Sequence, residues 1–178
     1  MRVIYRVLFA SLLLVALFGR MAMAEETTDK KPEVEVRFFY LMCNDVAAMR
    51  GFYTDLLGMS ETNYYNEPEM GWLCYAFGDI EFMFFRAENA LPVPDKYASQ
   101  PGWPGGELEV PSWSVLIPEE DFSATVQALI DAGVPTFAAK PMFCLDNYWS
   151  FPVLDPMGNT VEVYTIPKVK PENGEWPE

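Results

Sequence analysis

An α+β fold made of two consecutive βαβββ modules is what this sequence predicts, on three observations. The order strand, helix, strand, strand, strand is readable over residues 35–87 and again over 110–166. The helical stretches match: Asp45-Val-Ala-Ala…Asp55-Leu-Leu-Gly58 recurs as Asp121-Phe-Ser-Ala…Asp131-Ala-Gly133 with one deletion. The turns before the last strands match as well, Phe77-Gly-Asp-Ile-Glu81 against Met157-Gly-Asn-Thr-Val-Glu162 with one insertion.

Taken in order, Arg2 and Arg6 precede an apolar run from Val7 to Phe18, and Ala22-Met-Ala24 supplies small residues at −3 and −1. This is the pattern of a secretory signal over 1–24, with an uncleaved anchor as the alternative. Residues 25–34 read as a polar, flexible leader. Glu35 to Cys43 alternates as a strand, with Val36, Phe38, Tyr40 and Met42 on one face and Arg37 and Phe39 on the other, and its apolarity predicts cover over much of both faces. Asn44-Asp45 offers an N-cap to a helix whose apolar positions run from Val46 to Leu57, stopped by Gly58. Strands are expected near 61–65, 71–77 and 80–85, with Gly78-Asp79 as the tight turn between the last two.

Pro92, Pro94, Pro101, Pro104 and Gly105-Gly106 prevent regular structure over 88–109, which reads as a linker or arm lying over a neighbour, with Tyr97 and Trp103 as contacts. The second module follows: a strand over 111–117, a helix from Glu119 or Asp121 to Ala132 ended by Gly133, and strands at 136–139, 148–154 and 160–166. Residues 167–178 form a Pro-rich, charged tail without a strand or helix signal.

Cleavage after Ala24 removes three arginines (Arg2, Arg6, Arg20) and no acid, taking the formal charge from −14 to −17. Such a chain is a poor partner for nucleic acid, which needs a basic face. The acidity serves either solubility or the attraction of cationic ligands. There is no histidine, which excludes a His-assisted serine or cysteine nucleophile and any metal site that needs imidazole. Cys43, Cys74 and Cys144 lie in apolar runs and read as buried small hydrophobes, one of them at least unpaired in a monomer.

Asp45 with Gly51-Phe-Tyr-Thr-Asp-Leu-Leu-Gly58, the helix exit Ala132-Gly-Val134, and Phe151-Pro-Val-Leu-Asp-Pro-Met-Gly-Asn-Thr-Val-Glu162 together resemble the vicinal oxygen chelate superfamily of glyoxalases, bleomycin-resistance proteins and extradiol dioxygenases. The resemblance implies sheets that curl around a shared cavity, which a homodimer can complete. It also implies metal ligands on the first and last strands of each module. Counting back seven residues from Asp45 and Asp121 gives Phe38 and Ser114, and the last-strand positions are Glu81 and Glu162. Phe38 and Ser114 are no ligands for a transition metal, so no cofactor is expected. A divalent ion, if there is one, falls to Glu81 and Glu162.

The expectation is therefore an exported, periplasmic or secreted protein without stable membrane insertion. It binds a small aromatic or cationic molecule at Phe38, Tyr40, Trp72, Glu81, Trp113, Ser114, Tyr148 and Glu162. Two alternatives stand beside it: a divalent-metal enzyme of lyase, isomerase or dioxygenase type using Glu81 and Glu162, with Glu162 as candidate base, and a non-catalytic subunit that binds a partner through its Pro-rich arm and tail.

Overall fold

The computed structural model describes residues 35–177; the predicted signal segment and the leader lie outside them. Two four-stranded mixed sheets carry the fold. The first contains β1 (Phe38–Cys43), β2 (Glu61–Glu67), β3 (Met70–Phe77) and β4 (Ile80–Arg86), ordered β1-β4-β3-β2. The second contains β5 (Trp113–Leu116), β6 (Met142–Cys144), β7 (Tyr148–Leu154) and β8 (Thr160–Thr165), ordered β5-β8-β7-β6. In each, the first strand pairs parallel with the last, and the other pairings are antiparallel. The same order twice is the tandem βαβββ arrangement, with sheets that do not close into a barrel.

Helix α1 (Val46–Arg50) starts where the Asp45 carboxylate accepts the backbone N–H groups of Ala47 and Ala48, and it runs on as a π-helical turn, Gly51–Leu56. Gly58 ends it at φ 73°, a conformation that costs glycine nothing. Helix α2 (Glu119–Asp131) ends in the same way before Gly133. It starts at Glu119, one of the two expected positions; Pro118 is the N-cap and makes no side-chain cap bond, and Asp121 sits inside the first turn with Glu119 and Glu120. Proline supplies a pre-set backbone there and the three acids complement the helix dipole, so no capping side chain is required.

A departure from expectation lies after α2. The strand expected over 136–139 is reduced to one bridge, Thr136 to Val153, and pairing resumes at β6. Lys140-Pro141 interrupts the ladder, and the β6–β7 hairpin is turned by Leu145 and Asp146, both at left-handed φ.

One core joins the modules. The α1 side chains Met49, Phe52 and Tyr53 meet Phe84 and Tyr75 from the first sheet, Phe151, Val161 and Val163 from the second, and Phe122 and Leu129 from α2. Tyr53 is its centre: the ring stacks on Phe84 (4.9 Å between centroids) and on Trp113 (6.5 Å), and the hydroxyl donates to Asp155 Oδ2 at 2.9 Å. Asp155 also accepts from the backbone N–H of Met157 and Asn159 and from Asn159 Nδ2, which fixes the Asp-Pro-Met-Gly-Asn turn before β8. Burial raises the Asp155 carboxyl and lifts the Tyr53 phenol well above its ordinary value, so the phenol keeps the proton it donates. The tail packs by Trp176, whose ring meets Phe122 and Trp149 edge-on.

Candidate functional site

Alternation along β1 sends Leu41 and Cys43 toward the core and Phe38, Tyr40 and Met42 to the opposite face. There the cover expected over β1 is missing. Phe38, Tyr40 and Met42 are 53, 61 and 44% exposed, and on the other side Phe39 is 57% exposed. β1 is an edge strand, and neither α1 nor the second module reaches over these rings, so apolarity alone does not secure their burial. They floor an open groove of about 820 Å³, completed by Met83 and Phe85 of β4 and Met70 of β3. Tyr40 meets Phe85 edge-on at 6.2 Å, and Trp72 leans on Phe85 at 5.9 Å.

Glu69, Arg86 and Glu88 stand at the groove's rim. Arg86 is occupied with the β2–β3 turn: its guanidinium donates to Asn66 Oδ1 (2.8 Å), to the Pro68 carbonyl (3.0 Å) and to the Glu67 carbonyl. The two rim carboxylates give the groove an acidic border.

The four positions implied for metal ligands come together two by two. Phe38 is the register partner of Glu81, and Ser114 that of Glu162. Counting from Asp45 and Asp121 thus found corresponding places, although only Asp45 is a cap. Glu81 is exposed. Glu162 is 5% exposed, and hydroxyls take up its oxygens: Ser114 Oγ donates to Oε2 (2.7 Å), and Ser150 Oγ (2.6 Å) and Tyr148 Oη (3.2 Å) donate to Oε1. A buried carboxylate with three hydroxyl donors is satisfied without a cation.

These residues do not fit a metal centre. Phe38 has no lone pair to offer, Ser114 is a neutral hydroxyl already donating to the carboxylate, and among the described residues no three His, Cys, Asp or Glu side chains converge as a metal-binding group. Nor do the thiols offer a nucleophile: burial pushes Cys43 up to about 11, and burial with the charge of Glu162 raises Cys144.

The expected site residues therefore fall into three places. Phe38 and Tyr40 line the groove, with Trp72 behind Phe85 and Glu81 beside Phe38. Ser114, Tyr148 and Glu162 form the hydroxyl–carboxylate cluster on the second sheet. Trp113 belongs to neither; it packs into the core against Tyr53 and Phe82. Period-two alternation held that signal, since neighbours such as Trp113 and Ser114 point to opposite faces. The groove's methionines, Met42, Met70 and Met83, were missed because flexible thioethers read as ordinary core filler.

The Pro-rich arm lies over its own second module. Ala98 and Trp103 are buried, the Ala98 N–H donates to Thr160 Oγ1 (2.7 Å), and Tyr97 and Trp103 pack edge-on against Phe137.

A family model described as the Glyoxalase/Bleomycin resistance protein/Dioxygenase superfamily matches residues 35–163. Among solved structures, a glyoxalase/dioxygenase from Nostoc punctiforme is similar at a TM-score of 0.55 and 15% identity, over 78% of this chain and 100% of that one. A glyoxylase/bleomycin resistance protein/dioxygenase domain from Frankia sp. EAN1pec is similar at 0.52 and 15%, over 78% and 95%. At such identities the likeness is one of fold. Comparison with curated proteins returns no match.

Proposed function

The chain belongs to the glyoxalase/bleomycin resistance protein/dioxygenase superfamily, and on that premise we propose that it is an exported, metal-independent member that binds a small, flat, apolar or cationic organic molecule in the groove of the first sheet. The observation that carries this reading is the groove itself. Three aromatic rings and three methionines line about 820 Å³ of open space behind an acidic rim. Each Å² of apolar surface left in water forgoes roughly 25 cal/mol, so this face favours an occupant. Rings take a planar partner by stacking, thioethers adapt to its outline, and Glu69 and Glu88 favour positive charge. The leader pattern of residues 1–24 supports export.

Calorimetric titration with 9-aminoacridine, a flat aromatic cation, tests the proposal. Binding in the micromolar range, weakened about tenfold in Phe38→Ala/Tyr40→Ala, is expected, since two lost ring contacts amount to roughly 1.4 kcal/mol or more. Equal affinity in the variant, or no heat in either protein, overturns it.

One observation favours a second reading. Phe39 is exposed on the side of β1 away from Phe38, where no groove ligand reaches it. A second copy of the chain docking along β1 covers both faces of that edge strand. Sedimentation equilibrium separates the two: a dimer that Phe39→Asp dissolves supports the homodimer, and a monomer at every concentration removes it.

A further inference from the structure

The two sheets are built alike, yet their matching faces end differently. The pairs Phe38↔Glu81 and Ser114↔Glu162 bring the groove face of the first sheet into correspondence with the Glu162 face of the second. On the first sheet that face is open. On the second, Ser150, Thr160 and Glu162 are 0, 1 and 5% exposed while Ser114 at its edge stays exposed, and residues 94–108 meet that face at Thr160 and Tyr148.

We propose that this segment is a hinged plug: it occupies on the second sheet the space left open on the first, and it lifts to uncover a second binding face floored by Glu162 and its hydroxyl donors. The inference concerns the second sheet alone and is independent of the groove.

The plug is organised within itself. Ser99 N–H donates to the Leu108 carbonyl (2.8 Å), Glu107 and Leu108 N–H to the Tyr97 carbonyl (2.8 and 3.1 Å), and Lys96 pairs with Glu107. It can therefore move as a unit without breaking its own bonds. Its seat is close-fitting, since a Cβ at Gly102 would overlap the Tyr148 hydroxyl, and so is its interior, where a Cβ at Gly106, φ 84°, would overlap the Ala98 carbonyl. What ties it down is the Ala98–Thr160 hydrogen bond, a second in which Ser112 Oγ beside β5 donates to Gln100 Oε1 (2.7 Å), and the rings around Phe137.

The Trp103 Nε1 and Gln100 Nε2 donors are buried without a protein acceptor, and each unpaired donor weakens the seat. Both gain partners when the segment lifts into water. The uncovered face offers one carboxylate among the hydroxyls of Ser114, Ser150 and Tyr148 beside the Tyr164 ring, which suits an organic ammonium carrying an aromatic group.

Hydrogen exchange on the full chain, followed by titration with benzylammonium, tests this. The amides of Ala98, Ser99, Glu107 and Leu108 are expected to exchange together, on the order of a hundredfold faster than those of Val161 and Val163 in β8. Thr160→Val, which keeps the side-chain shape and deletes the Ala98 hydrogen bond, should speed that group about fivefold and tighten benzylammonium binding by the same factor, because the open fraction sets apparent affinity. Adding Glu162→Gln should remove the binding. Gly102→Ala, whose Cβ would meet the Tyr148 hydroxyl of the sheet, unseats the segment differently and repeats the test if Thr160→Val does not fold. Exchange of the segment at the β8 rate, or benzylammonium affinity unchanged or absent in a folded unseating variant, overturns the proposal.

Discussion

Replacing Tyr53 by Phe removes one oxygen from the centre of the core and leaves the ring stacked on Phe84 and Trp113. The loss is the 2.9 Å hydrogen bond that joins α1 of the first module to the Asp155 turn of the second. A buried bond to a charged group contributes about 1.5–3 kcal/mol. Asp155 keeps the Met157 and Asn159 donors, so a value near 2 kcal/mol is expected at pH 7, or about 4–8 °C in Tm for a chain of this size. Acidity gives a second handle. Burial raises the Asp155 carboxyl, so the native state keeps that proton to higher pH than the unfolded chain. The stabilisation from this proton is complete below the ordinary Asp range near ~4 and is lost as pH rises through the folded value. Protonation also turns the Tyr53 bond from charge-assisted to neutral, so the cost of Tyr53→Phe should shrink toward ~1 kcal/mol as pH falls through the Asp155 titration. Urea unfolding of both proteins from pH 7 to pH 4 measures it. A cost below ~0.5 kcal/mol at pH 7, or one that grows on acidification, refutes the Tyr53–Asp155 bond as the tie between modules.

Further outcomes follow from the same contacts. Glu162→Leu leaves the fully buried Ser150 hydroxyl and its neighbours without an acceptor and should cost about 2–4 kcal/mol in urea unfolding, while Glu162→Gln, which keeps one acceptor oxygen, should cost about half as much. Trp176→Ala strips the tail from Phe122 and Trp149 and should cost about 2 kcal/mol. Cys43, Cys74 and Cys144 are free and buried; a thiol reagent at pH 8 should modify Cys43 on the order of a hundredfold more slowly in the native chain than in urea, given its value of about 11.

The parts of the fold that were legible are those that local chemistry determines. Gly58 and Gly133 stop their helices, Gly78-Asp79 turns β3 into β4, and a count from Asp45 and Asp121 locates the Phe38–Glu81 and Ser114–Glu162 pairs. What covers a face is decided by distant segments, and alternation is silent about that. Phe38 and Tyr40 have the apolarity of buried strand residues and stand open, whereas Glu162 is polar and buried because Ser114, Ser150 and Tyr148 turn toward it. The displaced β6 has a similar cause: Thr136 to Ala139 has strand propensity, but pairing depends on where the Leu145-Asp146 turn places the hairpin. The tie between Tyr53 and Asp155 was hidden for the same reason, since 102 residues separate its ends.

The groove is the centre of the functional account, and methyl NMR on chain labelled at its methionines examines it directly. On addition of 9-aminoacridine, the methyl signals of Met42, Met70 and Met83, which line the groove, should move with a single micromolar dissociation constant, while those of the core residues Met49 and Met157 stay in place. Unmoved groove methyls at saturating dye, or shifts as large at Met49 and Met157, would contradict a binding site on the first sheet.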